Sequence, residues 1–370
     1  MIGLCLCDPH PDRASDGCPI RTLSAARFAG RYRLVDFTLS NMVNSKINTI
    51  GMILNSHYQS LINHIGMGKD WDLARKSGGV TFFPPYLADE RRTVNNELDG
   101  PLQRATEFLT EKNDEYVLVA DSSSVYNMDY RKAFQTHMKA GADVTAIFTK
   151  KKITSGERES TVALVISEED RVTGVELAPP NADSVNVSLG AYIMHKRHFI
   201  QLVAGEKNCG MLRFSRVLLA DALSRLDVRA YEFKGYSTHI CSVETFFHSN
   251  LEILDIDNRN TLFDFEGRQI FTNSRDSLPT KYGKDANIQN SLVADGCQIN
   301  GTVINSTIFR NVKIGTGAVI KNCVLQDGTV VEDNATLECI ITDNSVVVSE
   351  NRSMMGYRTY PVYIERGRVI

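Results

Sequence analysis

The sequence has neither a long hydrophobic run nor an excess of charge of one sign. Its opening apolar run, residues 1–6, carries no basic residue and is much shorter than the roughly 20 residues that span a bilayer. Lysine and arginine number 41 against 44 aspartate and glutamate residues, for a formal net charge of −3. This balance offers no general electrostatic attraction to nucleic acid or to an anionic membrane. We therefore expect a cytoplasmic protein with no nucleic-acid or membrane partner.

Cysteine motifs of the metal-binding kind are also missing. The chain has eight cysteines, but none forms a CxxC pair and no cysteine or histidine cluster has zinc spacing. We expect reduced, mostly buried thiols. The cysteines are Cys5, Cys7, Cys18, Cys209, Cys241, Cys297, Cys323 and Cys339.

A chain of 370 residues is longer than one ordinary hydrophobic core accommodates, so two domains are expected. Up to about residue 250, short β-rich runs alternate with amphipathic helical segments. This pattern is typical of an α/β domain with a largely parallel sheet covered on both faces. We assign residues 1–250 to this domain and the polar stretch at 251–283 to a linker. The clearest β-rich runs are INTIGMIL, EYVLVA, ADVTAIFT, STVALVI, SLGAYIM and RAYEF.

From residue 284 onward, apolar residues recur six positions apart. This period fits a parallel β-helix, in which each flat side of a triangular coil takes one hexapeptide and turns one apolar residue inward. A small β-sandwich with accidental spacing is the alternative. We predict a β-helix over residues 284–370, with its exposed end capped by another subunit or by the first domain. One apolar series is Ile308, Ile314 and Ile320, and a shifted one is Val319, Leu325, Val331 and Leu337; turn pairs follow at Asp295-Gly296, Thr316-Gly317, Asp327-Gly328, Asp333-Asn334 and Asp343-Asn344.

Four stretches together resemble signatures of the bacterial ADP-glucose pyrophosphorylases, also called glucose-1-phosphate adenylyltransferases. The resemblance covers essentially the whole chain. It implies a GT-A-like, Rossmann-like nucleotidyltransferase domain followed by a left-handed β-helix, in a tetramer. The implied reaction converts ATP and glucose 1-phosphate into ADP-glucose and pyrophosphate for glycogen synthesis. The stretches are FAGRYRLVDFTLSNMVNSKINTIGMILNSHYQSLINHIGMGKDW, EYVLVADSSSVYNMDY, SLGAYIM and YEFKGYSTHICSVETFF.

The loop after the first strand departs from the family pattern. The family's GGxGTRL aligns with residues 8–14, DPHPDRA, where prolines supply no N–H group and two aspartates would repel a triphosphate. Arg13 is the one remaining candidate for a phosphate contact, and a surface arginine is the alternative.

The implied Mg²⁺ site is also altered. The two family aspartates that hold this ion align with Ser123 and His239, and a hydroxyl and an imidazole do not replace two carboxylates on Mg²⁺. Asp121 lies two residues from Ser123 and could be a shifted ligand, but the second carboxylate would still be missing. We expect no metal cofactor.

The sugar-phosphate side is depleted as well. The lysine of the family's EEKP aligns with Ala178 in ELAPP, while Glu176 remains and could touch a sugar hydroxyl. The family's Gly-Thr-Ala segment near the base becomes ELDGP, residues 97–101. Residues 188–192 match well, including Ser188 and Gly190, although the glycine could simply allow close backbone approach.

These departures resemble the non-catalytic, GlgD-type subunits that Gram-positive bacteria pair with a catalytic subunit. The resemblance therefore implies a regulatory subunit that forms a heterotetramer with a catalytic ADP-glucose pyrophosphorylase subunit and raises its activity. A phosphorylated effector is implied near the domain junction, with Arg31 and Arg33 as candidate contacts. An ion pair of these arginines with Asp36 is the structural alternative.

Three other functions remain open on the sequence. The chain could be a weakly active adenylyltransferase, or a sensor that binds a nucleotide or a sugar phosphate without turnover. A hexapeptide acyltransferase would need a histidine base on the β-helix, and all eight histidines lie between His10 and His248. We therefore disfavour the acyltransferase function.

Overall fold

The computed structural model describes residues 1–7, 22–54, 57–76, 78–85, 99–153, 158, 161–177, 184–205, 219, 222–274 and 276–370. Within these ranges no helix is both long and apolar enough to cross a membrane. The α-helices are α1 (Leu34–Asn44), α2 (Gln59–Ile65), α3 (Asp99–Glu111), α4 (Tyr130–Ala140), α5 (Lys196–Gly205), α6 (Val243–Glu252) and α7 (Ile256–Phe263). Short 3-10 helices lie at Leu23–Ala25 and Lys69–Trp71.

Thirteen described strands precede the β-helix, and nine of them form one sheet in the first domain. They are β1 (Ile2–Leu6), β2 (Arg27–Phe28), β3 (Tyr32–Arg33), β4 (Thr49–Ile53), β5 (Gly79–Phe83), β6 (Tyr116–Asp121), β7 (Ser124–Tyr126), β8 (Val144–Lys151), β9 (Val162–Ile166), β10 (Val172–Leu177), β11 (Val185–His195), β12 (Val228–Glu232) and β13 (Ser237–His239). The large sheet has the order β10-β9-β11-β6-β1-β4-β5, with β8 paired to β11 and β12.

The large sheet is mixed rather than largely parallel, which corrects the sequence expectation. Strands β6, β1, β4 and β5 are parallel neighbours, as are β8 and β12. The long strand β11 runs antiparallel to β6, β8 and β9, and β9 runs antiparallel to β10. Helix–strand alternation does not reveal this reversal, because β11 is reached from β10 without a described helix between them.

Apolar side chains cover both faces of this sheet, as expected. One face packs against α3 and α5 through residues such as Leu109 and Phe199. The other packs against α1, α2 and α4 through residues such as Leu39, Leu61 and Tyr130. The described thiols Cys5, Cys7, Cys241, Cys297, Cys323 and Cys339 are free and buried, while Cys18 and Cys209 lie outside the described residues.

Residues 281–364 form a parallel β-helix of three five-stranded sheets. The strands are β14 (Lys281–Tyr282), β15 (Asn287–Gln289), β16 (Leu292–Val293), β17 (Gln298–Ile299), β18 (Thr302–Ile304), β19 (Thr307–Ile308), β20 (Lys313–Ile314), β21 (Val319–Lys321), β22 (Val324–Leu325), β23 (Val330–Val331), β24 (Thr336–Glu338), β25 (Ile340–Thr342), β26 (Val347–Val348), β27 (Ser353–Met355) and β28 (Val362–Ile364). Each strand pairs in parallel with the strand one coil later, which confirms the predicted solenoid.

The apolar period is not a uniform six. The pairing of Val303 with Ile320 and of Ile320 with Leu337 makes each central coil 17 residues long. One corner of each coil is therefore a residue shorter than the other two. Ile320 fills the interior, whereas its neighbour Val319 is only half-buried, so the sequence prediction that counted Val319 in the inward series is wrong.

The short corner is made by residues in the left-handed region. Asn290, Asn305 and Asn322 have φ values of 41°, 47° and 49°, and Asn290 Nδ2 donates to Asn305 Oδ1 at 2.8 Å. Asparagine tolerates this conformation better than most residues because its side chain bonds locally. Stacked asparagines therefore set the tight corner from one coil to the next.

The terminal coil is partly covered by the chain itself. Ser349 N donates to Ile370 O at 2.7 Å and Ile370 N donates to Val347 O at 3.0 Å, so residues 368–370 lie along the outer edge of β26. The predicted cap by another subunit is not tested by these contacts. The first domain packs instead against the side of the β-helix.

A shared apolar cluster joins the two domains. It includes Phe28, Phe37 and Phe247 of the first domain and Phe309 and Ile341 of the β-helix. Buried Asn250 of α6 accepts from Ala29 N at 3.0 Å, and its carbonyl accepts from Thr307 Oγ1 at 2.9 Å. The stretch predicted as a linker thus holds the end of α6 and all of α7, followed by an irregular segment.

That irregular segment is bonded along the first domain. Phe271 N donates to Ser40 Oγ at 2.9 Å, Asn44 Nδ2 donates to Gln269 O at 3.0 Å, and Asn273 Nδ2 donates to the carbonyl of His64 at 2.9 Å. These bonds hold the connection to the β-helix in one path across α1 and α2.

Candidate functional site

The candidate site lies at the carboxyl end of β6, where polar residues follow a buried apolar strand. Asp121 ends β6 and is followed by three serines, all of them buried. Ser122 N and Oγ both donate to Leu6 O of β1, at 3.1 Å and 2.9 Å. The antiparallel pair of β7 and β13 then sets His239 directly opposite Ser124.

Asp121, Ser123 and His239 form one hydrogen-bonded chain. Ser123 N donates to Asp121 Oδ1 at 2.8 Å, and Ser123 Oγ donates to Asp121 Oδ2 at 2.7 Å. His239 Nδ1 lies 3.2 Å from both Ser123 Oγ and Ser124 Oγ. Because the Ser123 hydroxyl hydrogen is used by Asp121, we assign the ring proton to Nδ1, which then donates to Ser123 Oγ.

His239 is neutral in this setting. Burial lowers its pKa to about 4, and the nearby positive charge of Lys151 lowers it further in the same direction. The folded site therefore holds one carboxylate, a neutral imidazole and two serine hydroxyls around physiological pH. Lys151 was not singled out from the sequence, where it is one of three consecutive lysines with no distinguishing signal.

A glycine brings β11 close to this network. Gly190 has a φ of 68°, and a Cβ at that position would lie 2.8 Å from Asp121 Cβ. Ser188 Oγ accepts from Gly190 N at 3.2 Å and lies 3.1 Å from the Tyr192 hydroxyl. Ser188 and Gly190 thus border Asp121 at an irregularity between β11 and β8, where the pairing register shifts.

The other sequence candidates are not brought to this place, or lie outside the described ranges. Glu176 is exposed on β10, opposite Ala163 of β9. Arg13, with the whole loop at residues 8–14, and Ala178 lie outside the described residues, as do Glu97 and Leu98 of ELDGP. The last three residues of ELDGP begin α3.

The described donor set does not fit Mg²⁺, which prefers several hard, mostly anionic oxygen ligands in octahedral geometry. Both Asp121 oxygens already accept hydrogen bonds from Ser123. His239 presents a nitrogen where the resemblance requires a carboxylate. Within the described ranges, no group of three or more histidine, cysteine, aspartate and glutamate side chains is arranged to hold a metal ion.

The two effector candidates differ in their surroundings. Arg33 is buried, and its guanidinium donates to Ser60 O at 2.9 Å and to Ser60 Oγ at 3.1 Å. Arg31 is exposed, with its guanidinium carbon 5.3 Å from the centre of the Tyr32 ring. The carboxylate of Asp36 accepts instead from the Arg33 backbone N at 2.9 Å and lies 2.6 Å from His64 Nε2.

Two ion pairs at the domain junction were missed by the sequence analysis. Arg27 of the β2–β3 hairpin pairs with Asp327 of the β-helix, and Arg310 Nε lies 3.1 Å from Asp295 Oδ2. Their partners are far apart in sequence and follow no motif, so only the packed domains reveal them.

Comparison with known proteins agrees with this architecture. A family model described as "Nucleotidyl transferase" matches residues 24–236, and one described as "GlmU-like, C-terminal hexapeptide" matches residues 277–358. The glycogen biosynthesis protein GlgD of Bacillus subtilis (strain 168) is 30% identical over 356 residues, which cover 94% of this chain and 91% of that protein.

Relatives named for an enzymatic activity are similar to the same extent. The glucose-1-phosphate adenylyltransferase of Fervidobacterium nodosum is 33% identical over 327 residues, covering 87% of this chain and 78% of that protein. That of Clostridium perfringens (strain 13 / Type A) is 30% identical over 313 residues, with 83% and 78% coverage. With a nucleotidyltransferase sheet, a hexapeptide β-helix and these relatives, the chain belongs to the nucleotidyl transferase family, in the group that includes the glucose-1-phosphate adenylyltransferases and GlgD.

Proposed function

We propose that this chain is a regulatory, non-catalytic subunit of glucose-1-phosphate adenylyltransferase in glycogen biosynthesis. Its role would be to activate a catalytic subunit that makes ADP-glucose and pyrophosphate from ATP and glucose 1-phosphate. The observation that supports this most is the closed Asp121–Ser123–His239 chain, which uses both oxygens of the one buried carboxylate at the site.

The chemistry of nucleotidyl transfer explains why this observation carries weight. Catalysis of phosphoryl-type transfer consists almost entirely of positioning and of neutralising charge on the phosphate oxygens. A neutral imidazole and a serine hydroxyl seat no divalent ion, and single electrostatic groups are often worth about 10²–10³ in rate. The proposal therefore assigns the reaction to the partner's site.

The proposed partner is a catalytic ADP-glucose pyrophosphorylase subunit, held with this chain in a heterotetramer in the cytoplasm. The segment with the strongest family likeness, residues 28–71, supports this part because it forms the hairpin and α1 that meet the β-helix. Its retention is explained if packing and assembly, rather than chemistry, depend on it. Activation requires contacts that differ between two states of the partner, since mere association shifts no equilibrium.

The test is co-expression with the host's catalytic homologue. We expect a stable mixed complex whose pyrophosphate release exceeds that of the catalytic subunit alone, and no release above background from this chain alone with ATP, Mg²⁺ and glucose 1-phosphate. Failure to co-purify, or unchanged activity in the complex, would contradict the regulatory function. Robust turnover by the chain alone would favour an active adenylyltransferase instead.

The proposal includes a phosphorylated effector near the domain junction, with Arg31 and Arg33 as its candidate contacts. The exposed guanidinium of Arg31 suits bidentate phosphate recognition. Arg33 is expected to position the hairpin through Ser60. In the mixed complex, Arg31→Gln should weaken the response to a phosphorylated effector while leaving complex formation intact, whereas Arg33→Gln should also lower stability.

A further inference from the structure

We propose that the candidate site binds a phosphate monoester without a divalent metal ion, with the ammonium group of Lys151 supplying the positive charge. This inference rests on the proposed loss of catalysis in this chain. It goes further in naming a ligand class, a metal-free mode of binding and a residue that the family resemblance does not assign.

The first step is the charge at the site. Where two aspartates hold Mg²⁺, two negative charges and a dication cancel, and the metal supplies the attraction for phosphate. Here Ser123 and neutral His239 occupy those positions, so two negative charges are gone. An anion can then approach without a metal ion to screen carboxylates.

The second step is the placement of Lys151. It ends β8, and β6 and β8 run in the same direction because both are antiparallel to β11. Lys151 therefore lies at the same edge of the sheet as Asp121. Side chains alternate along a strand, so Lys151 projects from the face that carries Ile147, and Ile147 shares an apolar cluster with Tyr126 of β7. Its charge is felt at His239 on the paired strand β13.

The third step is the remaining polar groups. Ser123, Ser124 and Ser188 bring hydroxyl groups to the surroundings of Asp121 and His239, and each hydroxyl can donate or accept. A lysine ammonium has three donor hydrogens and serves as a point-charge ligand for phosphate. Hydroxyls and one ammonium suit the oxygens of a phosphate monoester better than they suit a metal ion.

The experiment is titration calorimetry of the full chain with glucose 1-phosphate and, separately, with inorganic phosphate. Each titration is made in excess EDTA and again with Mg²⁺. We expect the same affinity in both buffers. Tighter binding of glucose 1-phosphate than of inorganic phosphate would assign the sugar a part in recognition, and equal binding would assign the site to phosphate alone.

The neighbouring lysine provides a matched control. Lys151→Gln should weaken binding about tenfold or more, because a charged hydrogen-bond donor is lost. Lys150→Gln removes the same charge one residue away, on the opposite face, where Lys150 Nζ lies 3.6 Å from Glu232 Oε2. It should change affinity less than about twofold, within the range for surface charges. Matching thermal unfolding curves for the two variants would establish that both are folded.

Three results would overturn the inference: binding that requires Mg²⁺, equal affinity of the two lysine variants, or no heat from either probe at millimolar concentration. The regulatory function is tested separately by adding the Lys151→Gln chain to the catalytic partner. Activation without phosphate binding would sink only this inference, whereas loss of activation by the wild-type chain would sink the proposed function.

Discussion

The β-helix and the carboxyl edge of the first sheet handle polar groups in opposite ways. The β-helix repeats an apolar interior and leaves most polar side chains at corners and on outer faces. The sheet edge buries Asp121, Ser123 and Ser124 and satisfies them with one another and with His239. The first depends on apolar burial repeated coil after coil, while the second depends on individual hydrogen bonds between residues far apart in sequence.

This difference shows which part of the chain is free to lose its chemistry. A buried polar group is costly only when it lacks a partner, so a site can change its residues if the new ones satisfy each other. Ser123 and His239 do so. An interior position of a coil has no such choice, because its volume and apolar character are both required.

The largest expected effect is in the β-helix interior. Ile320→Ala should lower the free energy of unfolding by about 2–5 kcal/mol, because it removes buried methyl groups and leaves a cavity between coils. Val319→Ala, one residue earlier and only half-buried, is the control and should cost less. Denaturant unfolding would measure both. Equal losses would mean that the two positions do not differ in burial and would break the contrast.

A smaller loss is expected at the domain junction, where a polar residue is buried within an apolar cluster. Asn250→Ala should cost about 1–3 kcal/mol, because Ala29 N loses its buried acceptor. Asn258→Ala removes an exposed bond to Glu252 O and should cost little. If the same denaturation experiment gave no difference between the two variants, Asn250 would not link the domains as described.

At the sheet edge, the expected effect is a change with pH. The folded pKa of His239 is about 4, below its ordinary value near 6.5, so the unfolded chain binds more protons in this interval. The stability advantage of the wild type over His239→Asn should be constant above about pH 7 and should shrink as pH falls from about 6.5 to 4.

NMR titration of the His239 ring would check the same point directly. Lys151→Gln should raise this pKa, because it removes a nearby positive charge that disfavours the imidazolium. A ring that titrates near 6.5 in the wild-type chain would contradict the neutral, buried assignment.

The smallest effect is expected from restoring the missing carboxylates. The double substitution Ser123→Asp with His239→Asp should yield little pyrophosphate release, because the loop at residues 8–14 still carries prolines and residue 178 is still alanine. Ser123→Ala with His239→Ala serves as the comparison. Substantial turnover by the aspartate pair alone would show that the carboxylates were the one missing element.

Repeating or periodic features could be predicted from the sequence. The β-helix follows from apolar residues near a six-residue period, since one inward residue on each side of a coil is a local requirement. The two sheet faces follow for the same reason, because alternation of strands and amphipathic helices already implies them. The one-residue slip at Val319 was not predictable, since the short corner made by Asn305 and Asn322 is seen only when coils are stacked.

The amino-acid sequence by itself determined the family, the two-domain order and the loss of two carboxylates at positions 123 and 239, because each is a matter of which residues are present. Only the tertiary structure decided that β11 runs against its neighbours, that Ser123 occupies both oxygens of Asp121, and that Lys151 stands near His239. The physical reason is that hydrogen bonds and charge interactions act over a few ångströms, and residues 116 positions apart, such as Ser123 and His239, come within that range only through the fold.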